Sequence, residues 1–374
     1  MSAPQFIRTP PCVLQGAPSP VQATGRTLRW GVVATGRIAA RVTEDIARLE
    51  DAVLQAVSSR SEVTAVEFAD RFGFATSYYD DEVRGPGYTQ LFSDPEVDVV
   101  YIASPHAQHY ELTREALEAG KHVLCEKSIT INAAEMADLM EVASRRGVFL
   151  MEAVWSRFLP CINRLWEILS SGELGQIHWV QADLGFPAPY DPASRLWDPA
   201  AGGGALLDLT IYPLTMAVGA LGFPQRIQAT GSLNGDGVDT QNAITLGYDS
   251  GALAQLTSSL LSSGPRTATI SGSEGWIRTG APLHNPVELH IQQHMGPSRV
   301  ERFQQVGNGY TYELREVTRC IQEGLTESPT MPWDDSLQTM QLFDEVRAQL
   351  GVRYPNDDRR LASLEPLSKL SDSV

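Results

Sequence analysis

Between Leu28 and Met151 the chain alternates short apolar runs with amphipathic stretches, and this rhythm constrains the fold more than any other feature. Leu28–Ala34, Val53–Ser58, Val97–Ala103, His122–Cys125 and Val148–Met151 are apolar runs of the kind that make strands buried on both faces. Arg37–Leu49 sets Ile38, Val42, Ile46 and Leu49 at helical spacing; Val63–Phe72, His106–Ala119 and Ala133–Arg146 read the same way, the last two stopped by Gly120 and Gly147. Leu91-Phe92, ahead of Asp94-Pro95, reads as a short third strand and a turn. Strands that alternate with helices across short connections build a parallel, doubly wound sheet, with right-handed crossovers placing helices on both faces.

After Met151 the rhythm changes. Ile162–Leu169 is helical and Ile177–Leu184 extended; a glycine turn, Gly202–Gly204, then precedes an apolar helix over Leu206–Leu221. Seven strand-like segments follow without intervening helices, from Arg226–Leu233 to Arg299–Phe303, which predicts an open, mostly antiparallel sheet. Tyr312–Glu323 and Ser336–Leu350 return to helix. The fold class is α/β in two parts: a doubly wound parallel sheet over 28–151 and an α/β domain over 152–356, whose last helix has room to pack back on the first. Residues 1–27 read as an extended arm and 357–374 as a polar tail.

Composition removes several classes. A formal charge of −16 repels phosphate backbones, so nucleic acid is not an expected partner. No run approaches the about 20 consecutive apolar residues of a membrane helix, and Met1–Arg29 lacks the apolar core of a secretion signal. Cys12, Cys125, Cys161 and Cys320 are scattered, with no metal-ligand spacing. They read as free thiols in a reducing compartment, and the expected location is the cytoplasm.

Five motifs carry chemistry. Ala34-Thr35-Gly36-Arg37-Ile38-Ala39, between the first strand and the first helix, is a GxGxxA-type dinucleotide fingerprint with Ala in the first Gly place. The chemistry needs a tight turn and a helix N-terminus facing a pyrophosphate. At the end of the second strand, Ser59-Arg60 replaces the acid that would bind the ribose hydroxyls of NAD, and suits the 2′-phosphate of NADP. Ser104-Pro105-His106, with His109 a turn later, lies at the carboxyl edge of the sheet, where ligands bind; so does Glu126-Lys127. Asp208 and Tyr212, four apart on an otherwise apolar helix, share one face. A buried Asp needs a partner or a site.

Taken together, these residues resemble the Gfo/Idh/MocA oxidoreductases, in the branch of dimeric dihydrodiol dehydrogenases and NADP-dependent D-xylose 1-dehydrogenases. Trp30–Ala39, Glu126-Lys127, Met151–Pro160, Gly202–Tyr212, Ser336–Met340, Asp344–Arg347 and Gly351–Pro355 carry the resemblance. It implies a Rossmann domain, a second domain that dimerises through its open sheet, and NADP in preference to NAD. Lys127 matches the Lys of the family's Glu-Lys-Pro motif; Asp208 and Tyr212 match its Asp-x-Gly-x-His/Tyr motif. Ser128 and Thr210 stand where the family expects Pro and Gly.

The expected reaction is hydride transfer between nicotinamide and a carbinol of an aldose or a cyclic trans-diol. Tyr212 would be the acid/base, its pKa lowered by the Lys127 ammonium, with Asp208 holding the pair. Trp155, Phe186 and Trp197 are the expected pocket walls. Arg157 is expected at the cofactor and, like Arg195, as a binder of hydroxyls or anions. The Ser128 and Thr210 departures leave open a redox-neutral epimerase, isomerase or eliminase. A cofactor-binding regulator is a further alternative.

Overall fold

The computed structural model describes residues 18–357. The first sheet has six parallel strands: β1 (Leu28–Val33), β2 (Ala52–Ser59), β3 (Thr76–Tyr79), β4 (Val99–Ile102), β5 (His122–Glu126) and β6 (Leu150–Ala153). Their order is β3-β2-β1-β4-β5-β6, so the sheet switches direction between β1 and β4. In open α/β sheets that point opens a crevice for ligands. Helices α1 (Arg37–Ile46), α2 (Glu62–Phe72), α3 (Gly87–Ser93), α4 (His106–Glu118) and α5 (Ala133–Arg146) make the crossovers. The four strands β1, β4, β5 and β6 are almost continuously buried, as a sheet covered on both faces requires.

Leu91-Phe92 is helical, within α3, and not a strand. The third strand is instead Thr76–Tyr79, an edge strand of four half-buried residues without an apolar run to announce it.

The second sheet has eight strands: β7 (Ile177–Gly185), β8 (Arg226–Leu233), β9 (Asp239–Gly247), β10 (Leu253–Ser259), β11 (Ala268–Gly272), β12 (Gly275–Thr279), β13 (Glu288–Gln293) and β14 (Ser298–Arg302). They lie in the order β14-β13-β12-β11-β7-β10-β9-β8; β7 and β10 pair parallel and the other neighbours antiparallel. One face is covered by α6 (Pro160–Ser170) and α7 (Ile211–Leu221); the other is open, so β10 reads exposed and buried in strict alternation from Leu253 to Leu256. Counted as one helical stretch, Pro199–Leu221 is apolar and long enough to cross a bilayer, contrary to the sequence expectation, but 89% of its apolar window is buried in the fold: it is a core helix.

Two late helices tie the halves together. α8 (Thr311–Gln322) packs on α1, and α9 (Trp333–Leu350) packs on α5, β6 and β8. The buried Arg315 of α8 pairs with Asp51 at 2.7 Å and donates to the Pro20 carbonyl at 2.8 Å. Within the described residues, 18–27 are therefore held against the body and do not trail as an arm; Cys12 and the rest of the expected arm, residues 1–17, lie outside the described residues. Tyr354 is likewise buried, its hydroxyl on the Gly203 carbonyl at 2.9 Å. Cys125, Cys161 and Cys320 are buried free thiols.

Candidate active site

The fingerprint turn is built as a phosphate site must be. Ala34 has φ 80°, a left-handed backbone that glycine adopts freely and alanine at a cost, which explains why Gly is the usual residue there. Its N–H is fixed on the Ser58 carbonyl at 2.9 Å. A Cβ built on Gly36 meets nothing within 4 Å, so the space in front of α1 is open. α1 starts with no side-chain cap and no acid in its first turn. Its first N–H groups are therefore offered to an anion. These features fit a dinucleotide pyrophosphate, and Ala34, Gly36, Arg37 and Ile38 line a cleft of about 590 Å³ between the two sheets. Thr35 lies inside the same turn.

Ser59 and Arg60 sit farther out, at the end of β2. Ser59 bonds Thr64 at 2.7 Å, and Arg60 is exposed; neither lines the cleft. Their place beside the strand that holds Ala34 is the one a 2′-phosphate site needs.

The loop after β4 brings Ser104, Pro105, His106 and His109 into the cleft wall. Both ring nitrogens of His109 face carbonyls, Nδ1 that of Ser128 at 2.7 Å and Nε2 that of Ser104 at 2.8 Å. The two carbonyls favour the charged ring, but burial outweighs them and pushes its pKa down to about 4. His106 is pushed down to about 3 by burial and by His109, and its Nδ1 bonds the Gly202 carbonyl at 2.9 Å, across to the second domain. Both rings are props of the wall.

At the end of β5, Glu126 accepts from Tyr101 Oη at 2.6 Å; burial raises its carboxyl despite that bond. The next segment is pinned from three sides. Ser128 Oγ donates to the Leu207 carbonyl at 3.1 Å, Ile129 N–H to Glu152 at 3.1 Å, and Ser336 of α9 holds the other Glu152 oxygen at 2.6 Å. Ser128, standing where the family expects Pro, is thus tied down.

Lys127 reaches across to the second domain. Its Nζ donates to the Asp208 carbonyl at 2.7 Å, lies 3.4 Å from Asp208 Oδ1, and sits 5.2 Å from the centre of the Tyr212 ring. Arg195 binds the same carboxylate oxygen at 3.0 Å. Burial would raise the Asp208 carboxyl, but Lys127 and Arg195 outweigh it and hold it well below the usual range. Asp208 lies in a π-helical turn, Leu206–Thr210, that opens into α7. Pro213 removes an N–H that this turn would otherwise use, and the Lys127 ammonium serves the Asp208 carbonyl. The turn starts where Leu206 N–H meets Asp239 at 2.8 Å; a Cβ on Gly204, φ 119°, would lie 2.0 Å from that carboxylate.

Tyr212 faces the cleft with its Oη accepting from Trp155 Nε1 at 3.1 Å. Its pKa goes up, not down as the sequence suggested: burial dominates, Glu126 adds to it, and the Trp155 bond only partly opposes. The Lys127 ammonium lies over the ring and not on the hydroxyl. The resting residue is a neutral phenol with a proton to give.

Three further expectations change. Arg157 does not reach the cleft: it is 2% exposed, bound to Asp335 and to the Thr330 carbonyl. Trp197 is 3% exposed, donates to the Pro189 carbonyl at 2.9 Å and stacks edge-on with Tyr190 outside the cleft. Thr210, whose departure from Gly left a redox-neutral reaction open, turns away, its hydroxyl 2.9 Å from Ser258 and 3.2 Å from Asn242. Trp155, Phe186 and Arg195 do line the cleft, and so do Arg41, Arg266, His284 and Tyr310, which sequence reasoning missed. Trp155 packs 4.4 Å from Tyr310 and 6.0 Å from His284, and His284 5.4 Å from Tyr212, so one end of the cleft is a wall of rings. His284, between β12 and β13, and Tyr310, just ahead of α8, come from connections with no motif.

Comparison with known proteins agrees with this architecture. A family model described as oxidoreductase family, NAD-binding Rossmann fold, matches residues 28–154, and one described as GFO/IDH/MocA C-terminal domain matches residues 162–278. The chain is 36% identical over 342 residues to trans-1,2-dihydrobenzene-1,2-diol dehydrogenase of Mus musculus, covering 89% of this chain and 99% of the relative. It is 32% identical over 369 residues to D-xylose 1-dehydrogenase (NADP(+)) of Hypocrea jecorina, covering 88% and 93%. A solved 3-ketoreductase from Actinomadura kijaniata, in complex with NADP and TDP-benzene, superposes with TM-score 0.76 at 26% identity, covering 87% of this chain and 98% of that one.

Proposed function

The chain belongs to the Gfo/Idh/MocA oxidoreductase family, and on that premise we propose that it is an NADP-dependent dehydrogenase of a carbinol in an aldose or a cyclic trans-diol. One observation carries this reading: the Lys127–Asp208–Tyr212 cluster stands across a single cleft from the open, acid-free start of α1. The first-turn amides of α1 and Gly36 would hold the pyrophosphate, and Arg60 with Ser59 the 2′-phosphate. Bound there, NADP⁺ would accept the carbinol hydrogen as hydride, leaving a carbonyl, NADPH and one proton for the protein to move.

Tyr212 is the group that moves this proton. As a neutral phenol it donates to the substrate oxygen in the reducing direction; in oxidation it must first become phenolate, which the Lys127 charge and the Trp155 N–H favour. Asp208, ionised between Lys127 and Arg195, fixes the ammonium over the ring. The ring wall of Trp155, Tyr310 and His284 suits the apolar face of a cyclic substrate. Ser128 and Thr210, which motivated a redox-neutral alternative, both point out of the cleft.

A second copy of this chain is the proposed partner. Trp179 and Leu253 are register neighbours exposed on the open sheet face, among small polar side chains. Light scattering of a monomer at micromolar concentration contradicts this. Three buried unpaired thiols suit a reducing compartment, and the cytoplasm is the proposed location.

The direct test is NADPH formation, read by its near-ultraviolet absorbance, with a panel of aldoses and cyclic trans-diols. Turnover with NADP⁺ above that with NAD⁺ supports the reading; turnover of any member without net change in cofactor overturns it.

A further inference from the structure

Two non-glycine residues among those described have left-handed backbone: Ala34, at the fingerprint, and Arg266, at φ 58° on the connection from β10 to β11. Strain of this kind persists where surroundings over-determine it, and it gathers at functional sites. Arg266 is held on both sides. Its N–H donates to Asp183 Oδ2 at 2.8 Å, and its carbonyl accepts from Leu283 N–H at 2.7 Å. The Asp183 carboxylate is taken up by backbone, since its other oxygen accepts from Thr267 N–H at 3.3 Å.

The side chain has a different fate from those of Lys127 and Arg195. Lys127 and Arg195 share Asp208; Arg37 and Arg41, on α1 beside the fingerprint turn, have no ion pair among the described residues, and the charge of Arg41 also reaches His284. No hydrogen bond or ion pair holds the Arg266 guanidinium among the described residues. It lines the cleft with Phe186 and His284, close enough for its charge to act on the His284 imidazole, which packs on Tyr212. An unpaired guanidinium thus stands at the reacting end of the cleft, in a protein of net charge −16. Its planar fork matches an oxyanion in bidentate fashion.

We propose that Arg266 is a specificity-determining residue that binds an oxyanion on the substrate, so that a sugar carrying a terminal carboxylate or phosphate is preferred to its neutral counterpart. This rests on the dehydrogenase reading above and names its substrate class. The oxyanion is a handle, unchanged by the oxidation of the carbinol.

The test compares glucose, glucuronate and glucose 6-phosphate with NADP⁺. Their rings are the same, so only the substituent at one carbon varies. For the wild type, kcat/KM for one of the charged sugars is expected at least about tenfold above glucose, the bidentate contact being worth more than 1.4 kcal/mol. Which charged sugar wins identifies the oxyanion. Arg266→Gly keeps the left-handed backbone and should bring kcat/KM for the charged sugar down toward that for glucose, the loss falling on the charged sugar. Arg266→Lys should restore part of the preference. Equal rates on all three sugars in the wild type overturn the proposal. So does an Arg266→Gly variant that weakens all three alike, or that raises only the KM for NADP⁺. If the neutral sugar or a trans-diol is oxidised and the charged sugars are not, the dehydrogenase reading stands and this inference alone fails. If no sugar or diol reduces NADP⁺, both fail.

Discussion

The two walls of the cleft are made in different ways. The Rossmann wall is backbone: a turn at Ala34–Gly36, the first amides of α1, and loops stapled by His109 and Glu152. The opposite wall is side chains: Asp208, Tyr212, Arg195, Trp155, His284 and Tyr310, drawn from a π turn, the first turn of α7, a 3₁₀ turn and loops. A backbone wall suits a ligand that varies little, and a side-chain wall suits chemistry and selection. Lys127, next after β5, carries a charge across and is spent on Asp208, while His106 and Ser128 bond the carbonyls of Gly202 and Leu207 on the far side. Substitutions should therefore separate: cofactor affinity on one side, turnover on the other.

The largest effect is expected outside both walls. Arg157→Met leaves the Asp335 carboxylate buried and unpaired, which costs about 3–5 kcal/mol. Denaturant unfolding should show that loss, while NADP affinity of the folded variant stays at the wild-type value. A selective loss of NADP affinity would return Arg157 to the cofactor wall.

Next come the residues of the proposed proton path. Lys127→Ala and Tyr212→Phe should each lower turnover by ~10² or more with NADP affinity nearly unchanged. The double variant should lose little beyond the worse single, since groups that act as a unit are not additive. Additive losses would separate the two roles and dissolve the cluster.

A smaller effect belongs to the backbone wall. Arg60→Asp should lower the NADP-over-NAD preference by about 10–100-fold, the worth of one charge-assisted contact, without changing turnover at saturation. An unchanged preference removes Arg60 from the site. The smallest effect is that of Trp155→Phe. It removes the N–H from Tyr212 Oη, and oxidation at neutral pH should slow by about 2–10-fold, a neutral hydrogen bond's share.

The same contrast explains what was legible in the sequence. The Rossmann wall depends on local patterns, and strand, turn and helix could be read from Leu28 to Ile46 residue by residue. β3 escaped because Thr76–Tyr79 is an edge strand without an apolar run, and α3 because two adjacent apolar residues fit either period. On the other wall the spacing of Asp208 and Tyr212 gave the pair. Their surroundings were not legible, because His284, Tyr310 and Arg266 arrive through tertiary contacts. Arg157 was misread for a related reason: its partner Asp335 is 178 residues away, and a satisfied buried ion pair has the same local sequence as a binding residue.

The central claim is that Tyr212, neutral at rest, moves the proton of a redox reaction, and the pH dependence of the two directions tests it most directly. Burial and Glu126 raise the Tyr212 pKa above its ordinary value near 10. Reduction needs the phenol, so its turnover should stay level through neutral pH and beyond pH 9. Oxidation needs the phenolate, so its turnover should climb with pH across the same range, about tenfold per unit, and that climb should vanish in Tyr212→Phe. An oxidation rate that rises just as steeply in Tyr212→Phe would contradict the account, and would pass the proton to another group in the cleft.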